Sequence, residues 1–131
     1  MGIRKFSVAV VSDGAGAATV FSGRLSGYLR SIQYLKTDYT DGIDFTITAE
    51  ATGQTIWTQV DVNAAVIKHP RAPTNAIDGT ASLRVAADAA SAVNDLIALG
   101  ADRVKIVLAQ AGATKTGTFV ITMDDGGRYG S

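Results

Sequence analysis

His69 is the only imidazole in the chain, Glu50 is the only glutamate, and cysteine is absent. A zinc site of ordinary composition therefore lacks ligands. His69 stands beside Pro70, and no strand–turn–helix nucleophile motif surrounds any serine, so the expected histidine is structural or solvent-exposed rather than a catalytic base. The segment "DYTDGID" gathers Asp38, Asp41 and Asp44 about a turn. Three carboxylates suit calcium, but the spacing departs from the EF-hand loop, and aspartates at turns ordinarily cap backbone amides. Glu50 with an aspartate would make a glycosidase-like pair, yet it lies on the threonine-rich face of a strand, where solvation is the simpler reading. "GAGAAT" has the glycines of a phosphate loop without its lysine or helix and reads as a hairpin tip. Neither a cofactor nor a metal is expected, and an enzyme is the least favoured class.

Two further groups suit binding. Trp57, Tyr34, Tyr39 and Phe45 would serve either as a stacking platform or as core filling, and core filling is favoured because no basic groove accompanies them. Lys68, His69, Arg71 and Arg84 fall in or near an irregular stretch. The cations there are either solvated or bonded to carboxylates of another subunit, a contact that suits arginine's fixed fork of donors.

These residues must be positioned by a chain of 131 residues, enough for one domain that hides roughly two thirds of its unfolded surface. We expect a single β-rich domain over residues 1–131. Lysine and arginine total 12, as do aspartate and glutamate, with no block of one sign. A nucleic-acid partner is not expected. No apolar run is long enough to cross a bilayer as a helix, so no membrane partner is expected. Alanine is the commonest apolar residue, which thins the core and suits close approach of subunits.

The local pattern is that of short strands. In "IDFTITAEA", Phe45, Ile47 and Ala49 share one face while Asp44, Thr46, Thr48 and Glu50 share the other. "RKFSVAVVS" and "ATVFSGRL", separated by "DGAGA", predict an N-terminal hairpin. "GYLRSIQYLK" places Tyr28, Ile32 and Tyr34 on one face. Asp41-Gly42 and Thr52-Gly53 are turns, and "QTIWTQ" is a further strand. "DRVKIVLAQ" and "TGTFVITM" predict a second hairpin, with Phe119, Ile121 and Met123 on one face. Residues 68–80 are expected to form an irregular arm, 124–131 a flexible tail, and 86–97 one short helix. The fold class is mainly β, an antiparallel β-sandwich or barrel of short strands.

Three stretches taken in order, "RKFSVAV", "SIQYLKTDYTDGIDFTITAEATGQTIW" and "DRVKIVLAQAGATKTGTF", resemble small virion proteins of tailed bacteriophages. The resemblance spans most of the chain and carries no catalytic motif. It implies a capsid decoration, cement or accessory protein, present as a homo-oligomer, with the major capsid protein or other virion proteins as partners. Its expected location is the virion, assembled in the bacterial cytoplasm. A tail or head–tail junction protein is the first alternative, and a carbohydrate-binding module the second.

Overall fold

Alternation carries the core strand as expected. In β3 (Ile43–Ala49) the side chains of Ile43, Phe45, Ile47 and Ala49 are buried while Thr46 is exposed. The computed structural model describes residues 3–75, 77–80, 83–86, 89–92 and 94–124. Before β3 run β1 (Ile3–Val11) and β2 (Ala18–Lys36); after it come β4 (Thr55–Val62), β5 (Val66–Lys68), β6 (Arg71–Pro73), β7 (Leu83–Ala86), β8 (Ala89–Ala92), β9 (Asn94–Ala109) and β10 (Thr116–Asp124). The fold is all-β and antiparallel, without a helix among the described residues.

The main sheet runs β1-β10-β2-β9-β3-β4, with β5 added to β2 and β6 to β9; β7 and β8 form a separate pair. This sheet folds over on itself. Phe119 of β10 meets Phe45 of β3 edge-on at 5.2 Å between centroids, although two strands separate β10 from β3. Such a contact is possible only across a core. Tyr34 touches both rings, at 5.3 and 5.6 Å, and Trp57 closes on Phe45 at 4.7 Å. The buried side chains form one cluster around these rings.

Two long strands, not short ones, accomplish the fold-over. β2 has 19 residues and β9 has 16. Their mutual register slips between Phe21 and Arg24 and again between Leu25 and Gly27, and β2 slips against β10 beside Arg30. Each bulge adds a residue, bends the strand and strengthens its twist. β2 can thus pair with β9 through its first half and with β10 through its second.

The slips also account for where the expectations fail. A bulge reverses which alternate residues face inward. Ile32 and Tyr34 are fully buried, but Tyr28, on the far side of the Arg30 bulge, is 46% exposed. In β9, Ile97 and Leu99 face inward, Ala101 adopts a positive φ of 53°, and the inward positions become Val104, Ile106 and Leu108. Where 86–97 is described it is strand instead of the expected helix, in β7, β8 and the start of β9, while 87, 88 and 93 lie outside the described residues; the alanine-rich run carries few bulky side chains, so its spacing fits either period. The arm at 68–80 also contains strand: it begins at the end of β5 and includes β6, which pairs with β9. Of the tail, Asp124 ends β10, and 125–131 lie outside the described residues.

Neither terminal hairpin forms. β10 lies between β1 and β2, and β2 lies between β9 and β10. The "DGAGA" and "AGATK" connections both reverse the chain, but each steps over one strand. The two loops dock at the same end of the molecule. The Ser12 amide donates to the Lys115 carbonyl (2.8 Å), the Ala111 amide to Gly16 (3.0 Å) and the Thr114 amide to Asp13 (3.1 Å). Ser12 Oγ accepts from the Lys115 amide at 2.8 Å and donates to the Gly112 carbonyl at 2.5 Å. The Thr52-Gly53 turn, in contrast, is a true hairpin joining β3 to β4.

Candidate functional site

Lys68, His69 and Arg71 come together where β5 and β6 flank the two long strands. Lys68 lies opposite Ile32 of β2, and Arg71 opposite Leu96 of β9; all three residues of the basic group are exposed. Arg71 Nη1 donates to the carbonyls of Pro70 (2.8 Å) and Arg30 (3.1 Å), so this arginine fastens β6 to the bulge in β2. Arg30 in turn pairs with Asp124 at 3.4 Å. Arg84 belongs to β7, opposite Ser91 of the separate β7–β8 pair.

The aspartates of "DYTDGID" point to different tasks. Asp38 accepts from the amide of Thr116 at 2.5 Å and from its hydroxyl at 3.1 Å, and these bonds, led by the amide, hold its carboxyl below the usual range. Asp41 pairs with Lys36. Asp44 accepts from the Asp61 amide and from Gln110 Nε2, both at 2.9 Å. Among the described residues no group of three potential ligands is placed to hold a metal ion.

Glu50 is exposed but paired. Arg103 grips it through Nε, 2.6 Å from Oε1, and through Nη2 to Oε2; this hydrogen-bonded pairing lowers the Glu50 pKa and raises that of Arg103. The same guanidinium lies 4.3 Å from the centre of the Phe21 ring. Beneath it, buried Asp102 accepts the amides of Ala51 (2.9 Å) and Arg103 (2.8 Å).

Trp57, Tyr34, Tyr39 and Phe45 are all core residues. They present no platform to a sugar. What the molecule presents instead is two outer sheet faces. On one, Thr19, Val107, Thr46 and Thr58 make a row across four strands, flanked by Phe21, Lys105 and Thr48. On the other, Ser7, Val120, Gln33 and Ile67 make a row across β1, β10, β2 and β5, flanked by Ala9, Thr118 and Leu35. Val11, Leu35 and Ile67 on this second face are 54%, 37% and 48% exposed.

No family model and no curated protein matches the chain. Among solved structures, it is similar to dimeric latent PorU from Porphyromonas gingivalis, with a TM-score of 0.36 and 7% identity, over 94% of this chain and 13% of that one. It is also similar to a chain in the structure of infectious bursal disease virus Gt strain, with a TM-score of 0.33 and 13% identity, over 98% of this chain and 33% of that one. The chain thus spans a minor part of both. No role is carried over from either.

Sequence reasoning missed two features of these surfaces. The Glu50–Arg103–Phe21 cluster joins β2 and β9 to the turn that follows β3, and only the register brings it together. The edge of β1, which no other described strand covers, was concealed by the expected hairpin, which would have covered one side of β1 with β2.

Proposed function

We propose that the chain is a structural protein of a tailed-bacteriophage virion that binds the capsid as a decoration or cement protein, acting by surface contact rather than by catalysis. The observation that supports this most is the pair of outer sheet faces. Both are rows made mostly of small or β-branched side chains, set back to back on an aromatic core. The reactive side chains add to it: Asp38, Asp44, Glu50 and Asp102 are bonded within the chain. The order of the three quoted segments, which resembles small virion proteins, supplies the assignment to a phage particle.

Physically, such a protein works by differential binding. Copies that bind the assembled shell more tightly than its separated subunits stabilise the shell by mass action, and many modest contacts add across it. Partners are the major capsid protein or other virion proteins. The decisive experiment adds purified protein to capsids lacking it. Saturable binding with a raised temperature of shell disruption is expected, whereas no binding, or bound shells of unchanged resistance, overturns the reading. Counting copies per virion on a stained gel separates a head location, with many copies, from a tail or junction location, with few.

A further inference from the structure

The edges of the main sheet are treated differently by this chain. β4, at one end, is blunted: its register with β3 slips twice, and Asp61 holds a positive φ of 56°. Bulges of this kind keep edge strands from joining other sheets. β1, at the other end, is regular. It pairs with β10 over nine consecutive residues without a slip, and no described strand covers its far side.

The hydrogen-bonding pattern tells which groups point to that far side. The Ser12 amide donates to the Lys115 carbonyl, so the main chain at Ser12 points toward the β10 side just beyond the β1–β10 ladder. Bonded and non-bonded pairs alternate in antiparallel sheet. Val10, Val8, Phe6 and Arg4 therefore bond to β10, and the amides and carbonyls of Ile3, Lys5, Ser7, Ala9 and Val11 point outward.

We infer that the free edge of β1 pairs with the β1 edge of a second copy, antiparallel about a two-fold axis at Ser7, joining two sheets into one. This register uses every outward amide and carbonyl of the strand. It sets Ile3 against the partner's Val11, Lys5 against the partner's Ala9, and Ser7 against the partner's Ser7. Ile3 and Val11 are among the most exposed large apolar residues of the chain, at 59% and 54%, and they stand at opposite ends of the same edge. Two-fold pairing covers both. It also places Arg4 opposite the partner's Val10, so neither Arg4 nor Lys5 faces a like charge, which would oppose pairing. Any displaced register leaves residues at the ends unpaired. The contact is isologous and closes on itself, giving a dimer rather than a filament. Main-chain bonds supply its strength, as in other strand-addition contacts.

Within the adhesive role proposed above, this pairing names the surface by which copies join one another, and it is tested without any capsid, so its failure leaves shell binding to be judged separately. Sedimentation of the full chain should show a monomer–dimer equilibrium. Ser7→Pro removes only an outward amide and leaves the β10 ladder intact, and proline is tolerated on the open side of an edge strand. It should raise the dimer dissociation constant at least tenfold while the circular dichroism spectrum is kept. Ser7→Cys supplies a single thiol in a cysteine-free chain. Bonded pairs stand about 5.5 Å apart at Cα, within disulfide reach of about 4.4–6.8 Å. Oxidation should therefore yield covalent dimer much faster than for Thr52→Cys, at the distant β3–β4 turn. If Ser7→Pro fails to fold, the cysteine pair decides. A monomer at sub-millimolar concentration, filaments, or equal cross-linking at residues 7 and 52 overturns the inference.

Discussion

The Tyr39 ring lies in the space that a side chain on Gly117 would occupy: a Cβ there would stand 2.7 Å from Cδ2 and 2.9 Å from Cζ, and closer still to Cε2. Tyr39 follows β2 and reaches over β10 to β1, where its hydroxyl donates to the Val10 carbonyl at 2.5 Å. It is stacked on Tyr34 at 6.1 Å between centroids, with 12° between planes. One ring thereby ties together the three strands β1, β10 and β2 at the end where the two crossing loops dock.

Gly117→Ala should be costly, because the ring it displaces is buried and held at both ends. A loss of about 1–3 kcal/mol is expected from overpacking alone. Tyr39→Phe keeps the ring and removes one bond from a buried carbonyl, for about 1 kcal/mol. Urea denaturation of both variants checks the order. Equal stabilities of Gly117→Ala and the parent would show that the ring is not confined.

Tyr34 makes the opposite prediction. Its side chain is fully buried, and its hydroxyl has no hydrogen-bond partner among the described residues. An unsatisfied buried polar group disfavours folding. Tyr34→Phe, which leaves the aromatic cluster in place, should be neutral or stabilising by about 1 kcal/mol. A loss of more than that in thermal unfolding would mean the hydroxyl finds a partner after all.

The same tyrosines set the alkaline limit. Burial pushes Tyr34 up to about 12 from the 10.0 of a free tyrosine, with a smaller contribution from Asp41. Burial pushes Tyr39 higher, aided by the neighbouring Tyr34 and Asp38. A raised folded pKa means the folded state holds its proton longer, so the stability tied to it is complete below pH 10 and is lost as pH rises through the folded value. Between pH 10 and 12, each group should reduce stability by about 1.4 kcal/mol per pH unit. Urea midpoints over this window should fall less steeply in Tyr34→Phe.

How much of this was legible depended on the range of the signal. Period-two alternation marked β3, the inner face of β10 at Phe119, Ile121 and Met123, and the Thr52-Gly53 hairpin, because each is decided by neighbours along the chain. Glycine pairs marked reversals correctly at Gly14 and Gly16. They could not say which strand would lie alongside, and so concealed the insertion of β10 between β1 and β2. The phase slip at Arg30 broke the alternation and turned Tyr28 outward, while the alanine-rich run leading into β9 carries too few bulky residues to set one period apart from the other. Of the residues expected to take part in interactions, Lys68, His69 and Arg71 lie close along the chain and stay together at β5 and β6, while Arg84, further along, lies in a separate strand pair. The contacts of Glu50 with Arg103, and of Tyr39 with Gly117, are matters of register that no local pattern encodes.

The docked loops give the acid counterpart. Asp13 accepts the amides of Ala15 (2.8 Å) and Ala17 (3.0 Å), and these bonds, Ala17 first, lower its pKa from 3.8; Asp38 is lowered by its bonds to Thr116. A depressed folded pKa contributes stability that is complete above the unfolded value and is lost as pH falls through the folded one. Both groups are solvent-exposed, so their effect should be modest and read as a change of slope rather than a collapse. Asp13→Asn and Asp38→Asn should each flatten the fall of the urea midpoint below about pH 4, and the double variant should flatten it further. Because both carboxylates act on the loops that carry β1 and β10 across their neighbours, amide exchange at Ala17 and Thr116 should quicken in the same pH range. Exchange that quickens instead at the β3–β4 hairpin, with these loops unchanged, would place the acid-sensitive carboxylates elsewhere.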